Sequence, residues 1–219
     1  YMAQDALTEP SAAVLIAVCE SLLIRELWDR AVWCAREAMK LDQDVQGGRI
    51  RLASGLIAKG EGQQATQLLL NELRQDPGNV QALLLHADLL ADSGRNQEAL
   101  MKLHRILELE PANVQAHVRA GAIALEEQRW EEAFIEWGLV RRLDPSHSTA
   151  SLYLAKTLLF MGRPDSARPL LQERLDRMGE DESRESKLEM ATLLLQAGEP
   201  SMTAGILQAL TNDRNDAEQ

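Results

Sequence analysis

The chain predicts an all-α solenoid, a stack of about 11–13 helices arranged as helix–turn–helix repeats, and three observations carry that prediction. Ala31, Ala65, Ala99, Ala133 and Ala167 recur at an unbroken spacing of 34 residues. Pro77, Pro111 and Pro145 keep the same spacing, as do Gly60 and Gly94, and Gly162 lies two periods beyond Gly94. Around these glycines, apolar residues step by three and four, which is the spacing of an amphipathic helix face. A fixed period of a few tens of residues marks an architecture in which each unit buries its apolar face against its neighbours.

The elements follow in order. Residues 1–11 read as an N-terminal extension, and 12–45 as a first, weaker repeat in which Glu26, Leu27 and Trp28 stand where a turn glycine is expected. Three regular repeats occupy 46–79, 80–113 and 114–147. Within 80–113, Leu83, Ala87 and Leu90 share one helix face, and Ala99, Leu103, Ile106 and Leu107 another. Gly94 suits the left-handed residue that ends the first helix. Asn96 is expected to cap the second helix, and Pro111 stands just past its end, where a missing amide does no harm. A fifth repeat spans 148–178. Its second helix carries Pro164, which can open a helix, and Pro169, which removes a hydrogen bond, so a late start or a kink is expected. The polar run 179–187 breaks the register. A degenerate repeat or capping pair covers 184–211, with Glu199–Pro200 as its turn, and 212–219 form a polar tail.

This pattern resembles the tetratricopeptide repeat, a helix–turn–helix unit of 34 residues. The family keeps a small residue midway along the first helix, a place filled here by Ala53, Ala87, Gly121 and Ala155, with Cys19 and Ala191 in the outer units. It keeps an alanine early in the second helix, and a large apolar residue four positions later: Leu69, Leu103, Trp137 and Leu171 here, with Ala35 smaller. The closing proline is present in three units and replaced by Gln43 in the first. The resemblance covers 12–175 strongly and 184–211 weakly. It implies a right-handed α-solenoid that acts as a non-catalytic scaffold for protein partners.

Composition narrows the function classes. The net charge is −11 and the basic residues form no stripe with interleaved aromatics, so nucleic acid is not an expected partner. No stretch approaches the roughly 20 apolar residues that span a bilayer, and direct membrane insertion is not expected. Tyr1 precedes Met2, so Met2 reads as the native start and a cytoplasmic protein is expected; a domain of a periplasmic or membrane-anchored protein is the alternative. Cys19 and Cys34 make no disulfide framework and read as buried small apolar residues.

Catalytic and metal motifs are missing from the sequence. There is no glycine-rich phosphate loop, paired-cysteine motif or zinc-protease signature. His86, His104, His117 and His147 form no i, i+4 pair; His86 falls in the inward register as a core histidine. The carboxylate pairs Glu126-Glu127 and Glu131-Glu132 read as solvated helix faces. Trp28, Trp130 and Trp137 take packing positions of the repeat, whereas Trp33 points partly outward. No metal, no cofactor and no enzymatic activity are expected.

The resemblance also places the binding surface. In the family, first helices line a concave groove that takes an extended peptide or a partner helix. The residues carried onto that face include Ile50, Arg51, Ile57, Leu84, Leu85, Asp88, Val118, Arg119, Leu125, Tyr153, Lys156 and Phe160, with Ala122 and Glu126 beside them. Part of this mostly aliphatic stripe is also expected to be solenoid core. Its chemistry suits an amphipathic helix or hydrophobic segment. A clamp for the C-terminal carboxylate of chaperones is not expected, because Ser54, Asp88 and Ala122 stand where the clamp needs basic and amide side chains. Two other readings remain open at this stage. One is homo-oligomerisation through the terminal helices, where Met202, Ile206, Leu207 and Leu210 line the last helix; the other is an interaction module of a larger envelope or secretion-system protein.

Overall fold

Twelve α-helices and no strand form among the described residues, in the order the repeat spacing predicts. The structure, a computed structural model, describes residues 11–179 and 182–217, of which 211–217 are described as backbone only. The expected N-terminal extension therefore lies outside the described residues save for Ser11, as do the last two residues of the expected polar tail. The chain divides into two compact units, Tyr1–Pro111 and Ala112–Gln219. The first holds α1 (Ala12–Ile24), α2 (Trp28–Leu41), α3 (Gly48–Ala58), α4 (Gly62–Gln75), α5 (Val80–Asp92) and α6 (Asn96–Leu109). The second holds α7 (Val114–Glu126), α8 (Trp130–Leu143), α9 (Ala150–Phe160), α10 (Pro164–Asp176), α11 (Arg184–Gln196) and α12 (Pro200–Ala217). Within each unit, helices next to each other in sequence pack together. The first helices α1, α3 and α5 also touch in turn, as do α9 and α11.

The alanine spacing is a packing constraint. Ala31, Ala65, Ala99, Ala133 and Ala167 are all fully buried, at 0% exposure. Each lets its helix approach the first helix of the same hairpin, and the large residue four positions later fills the layer beside it. Leu69, Leu103, Trp137 and Leu171 are accordingly buried too. Burying each such leucine contributes about 1.5–3 kcal/mol.

The hairpin turns share one geometry. Glu26, Gly60, Gly94, Gln128 and Gly162 all have a left-handed φ, between 58° and 78°, and they too are 34 residues apart. At each, two backbone bonds close the helix end: Gly94 N–H donates to the Ala91 carbonyl and Arg95 N–H to the Leu90 carbonyl, and Gln128 and Arg129 repeat the pair on Leu125 and Ala124. Gly198, with φ 82°, closes the last hairpin in the same way. Three of the five periodic turns use glycine, which bears no penalty there; Glu26 and Gln128 hold the same conformation against their own preference.

Four of the six first helices begin at a side-chain cap. Asn79 and Asn113 accept bonds from the Ala82 and Ala116 amides through their side chains, and Ser11 and Ser183 do the same for α1 and α11. Such a cap is worth about 1 kcal/mol. Asn96 is not a cap. It is the first residue of α6, and the cap position belongs to Arg95, whose guanidinium grips Glu98 at 2.7 Å. Nor does α10 start late. It opens at Pro164 and runs through Pro169 to Asp176, because a proline this near the N-terminus forfeits one backbone bond while Ala167, Leu170 and Leu171 stay buried. At the far end α12 continues to Ala217, into the stretch expected as a polar tail.

The two non-glycine turns generate a prediction. Gln128→Gly and Glu26→Gly should each raise the stability of the chain by about 0.5–1 kcal/mol, since relief of left-handed strain exceeds the added entropy of the unfolded glycine. Urea unfolding measures this as a higher midpoint at unchanged slope, and a lower midpoint would refute it.

Candidate functional site

The second unit carries a cleft of about 840 Å³ between its first two hairpins. One wall is α7, where Val118, Ala122 and Leu125 share a face at i, i+4 and i+7, with Glu126 at the helix end. The other wall is α9, where Tyr153, Lys156 and Phe160 share a face at i, i+3 and i+7. Gln128 of the α7–α8 turn and Thr149 stand at its ends, and Trp130 and Trp137 of α8 form the floor.

Four of these side chains are stacked in two aromatic pairs. The rings of Trp130 and Phe160 lie 4.5 Å apart at 17°, and those of Trp137 and Tyr153 4.6 Å apart at 18°. Stacks of this kind stabilise beyond their buried area by about 0.5–1.5 kcal/mol and hold the rings in fixed orientations. Trp137 is almost wholly buried, at 1% exposure, while Phe160 is half-exposed at 51%. The cleft thus has a rigid aromatic base and an open apolar lip.

Gly121 makes room for that base. A Cβ at this position would lie 2.9 Å from Trp137 Nε1 and 3.0 Å from its Cε2. The second, third and fifth repeats pair alanine at this place with leucine on the second helix; this one pairs glycine with tryptophan. The indole N–H is buried there without a hydrogen-bond partner, so packing rather than polar bonding fixes the ring.

The charges of the cleft differ in their partners. Lys156 is engaged: its Nζ lies 3.0 Å from Glu189 Oε1 and 5.9 Å from the Tyr153 ring centroid. Both members of that ion pair are partly exposed, which limits its worth to a few tenths of a kcal/mol up to about 1 kcal/mol. Glu126 is exposed and makes no ion pair among the described residues. It ends a helix whose last turn carries no basic residue.

The twelve residues expected to bind a partner are shared between the units. Val118, Leu125, Tyr153, Lys156 and Phe160 come together in the cleft; Arg119 lies on α7 outside it, its Nη1 bonding the Gln115 carbonyl at 3.4 Å. In the first unit, Ile50 and Leu84 are buried, at 3% and 9% exposure, and Ile57 and Leu85 pack half-buried against the core. Arg51 bonds Glu20 and Gln81 at the edge of a polar hollow of about 580 Å³, and Asp88 is half-buried on α5. The cleft residues that sequence reading did not assign to a site are Gln128, Trp130, Trp137 and Thr149. Composition held a signal for the tryptophans. Of the eight aromatic residues, Trp130, Phe134, Trp137, Tyr153 and Phe160 fall within 130–160.

His86, His117 and both cysteines sit in packing roles. His86 is buried, and burial holds its pKa below the usual histidine value, so the ring is neutral. Its Nδ1 has no hydrogen-bond partner. His117 is buried against Glu136, Nδ1 to Oε2 at 2.6 Å. Both cysteines are buried and unbridged, and burial pushes the Cys19 thiol up to about 11. Among the described residues no three His, Cys, Asp or Glu side chains converge as metal ligands would, and no helix is long and apolar enough to cross a membrane.

Antiparallel hairpins of 34 residues, closed by a buried alanine and a left-handed turn, define a helical repeat protein. The chain carries tetratricopeptide repeats: the model of that family matches residues 50–105 and 84–148. Solved structures agree in fold. PilF of Pseudomonas aeruginosa superposes with a TM-score of 0.79 at 19% identity, over 95% of this chain and 97% of its own. A tetratricopeptide repeat protein from Parabacteroides merdae gives 0.71 at 16% identity over 90% and 78%, and a thermophilic one from Thermus thermophilus gives 0.66 at 17% over 84% and 100%. No curated protein sequence matches the chain. Tetratricopeptide repeat proteins are in general non-catalytic scaffolds that bind other proteins.

Gly121→Ala tests how tightly the cleft is built. The added methyl should displace the Trp137 indole, lower stability by about 1–3 kcal/mol, and weaken the near-ultraviolet circular dichroism of the stacked rings. An unchanged spectrum and midpoint would show that α7 and α8 are not locked by this contact.

Proposed function

We propose that this protein is a non-catalytic scaffold that captures a peptide or amphipathic helix of a partner protein, and that capture takes place in the aromatic cleft of the second unit. The observation that carries this reading is the combination of an apolar lip with a rigid base. Val118, Leu125 and Phe160 offer surface whose burial is favourable, and the stacked rings beneath them are already ordered. A partner side chain entering the cleft therefore meets a site that loses little freedom of its own. Open width and helical spacing of the lining residues suit a segment anchored by one or two large apolar side chains. The other residues of the expected groove, on α3 and α5, belong to the same proposal as a second contact surface; there the polar chemistry is that of the partly buried Arg51 and Asp88.

Phe160 is half-exposed, so truncating it removes binding surface at the cost of one stack, about 0.5–1.5 kcal/mol of stability. Quantitative capture from a source lysate, wild type beside Phe160→Ala, should show the specific partner lost or weakened about 30-fold, the scale of an interface hot spot. Equal recovery by the variant would overturn the site.

Self-assembly is the second reading, favoured by α1. This helix is apolar on nearly every side, and Val14, Val18 and Ile24 are exposed on it at 52%, 42% and 83%. The last helix is a weaker candidate, because Ile206 and Leu210 are buried, Met202 packs against the core, and Leu207 alone of the four is exposed. Under this reading Val14→Glu with Val18→Glu converts a concentration-dependent oligomer to monomer in sedimentation velocity. A wild-type monomer at tens of micromolar, about the range of weak self-association, would sink it.

A further inference from the structure

We propose that the cleft of the second unit selects partner segments in which a large apolar side chain is followed, within about one helical turn, by lysine or arginine. This rests on the reading of the cleft as the capture site and names what that site prefers. The apolar side chain enters between α7 and α9, onto the Trp137–Tyr153 base. The cation then stands at the C-terminal end of α7, where three features give it a place.

The first is Glu126, a carboxylate on the cleft rim with no ion pair of its own among the described residues. The second is the helix end itself. The C-terminus of α7 carries the negative end of the helix dipole; its last turn holds no basic side chain, and the nearby Arg129 is held by Glu127 and Glu132. The third is the Trp130–Phe160 stack, whose half-exposed ring face attracts a cation placed over it. The cleft's own cation does not compete for this position, because Lys156 is held by Glu189 and lies over Tyr153. A segment with an acidic residue at the same offset meets the Glu126 carboxylate and the helix end with like charge, and is rejected.

A random peptide library displayed on phage and selected against the intact chain tests the inference. Enriched sequences should carry lysine or arginine within about four residues of a large apolar anchor. The best such peptide, synthesised and titrated by calorimetry, should bind Glu126→Gln about fivefold more weakly than wild type, with the difference shrinking as salt rises. Glu26→Gln removes the same charge from a turn of the first unit and should leave the affinity unchanged. Enriched peptides without a basic residue, or equal binding to Glu126→Gln and wild type, would overturn the proposed selectivity; Phe160→Ala would still weaken binding, so the capture site itself would stand. Binding indifferent to Phe160→Ala, or a library that enriches nothing, would remove both.

Discussion

Five of the six hairpins among the described residues close on a side chain no larger than a methyl group. Ala31, Ala65, Ala99, Ala133 and Ala167 are fully buried between the two helices of their repeats, and the distance between those helices is set by how little space they take. Larger residues there would force the helices apart or the neighbouring side chains off their rotamers, at a cost of about 1–3 kcal/mol each. Everything else hangs on that approach. The residue four positions on can fill its layer only because the layer is thin, and the first helices can touch from hairpin to hairpin only because each hairpin is narrow.

The turns obey a second constraint, which is chirality. Two antiparallel helices joined by so few residues need one residue with positive φ, and the six turns satisfy it with the same pair of backbone bonds. Glycine meets the need at no cost at Gly60, Gly94 and Gly162. Glu26 and Gln128 meet it because the flanking helices, packed along their whole length, leave the backbone no other course. At Gln128 the side chain that glycine would lack lines the cleft.

Much of this was legible in the sequence, for identifiable reasons. The alanine period gave the register, and register told which faces turn inward; the helix order, the buried alanines and the glycine turns follow from it. The left-handed state of Gln128 was not legible, since nothing in a glutamine signals positive φ unless the eye steps 34 residues from Gly94. Trp130 and Trp137 were read as packing residues, and they do pack, yet they also floor the cleft; a buried ring can serve both purposes when one edge faces an opening. Ile50 and Leu84 show the opposite limit. Period alone puts them on the same face as Arg51 and Leu85, but neighbouring side chains bury them, and a stripe on a helical wheel carries no measure of depth.

The glycine–tryptophan pair of the fourth repeat has a consequence for how such chains change over time. Repeats look like interchangeable parts, and duplication or exchange of whole units is the simplest way to lengthen or shorten a solenoid. Gly121 and Trp137 make this unit an exception. Its first helix, set against a leucine-bearing helix from another repeat, would leave a void; its second helix, set against an alanine-bearing one, would collide. The two helices can be inherited only together. The segment that shapes the cleft is therefore the part of the chain least free to be shuffled, whatever happens to the repeats on either side.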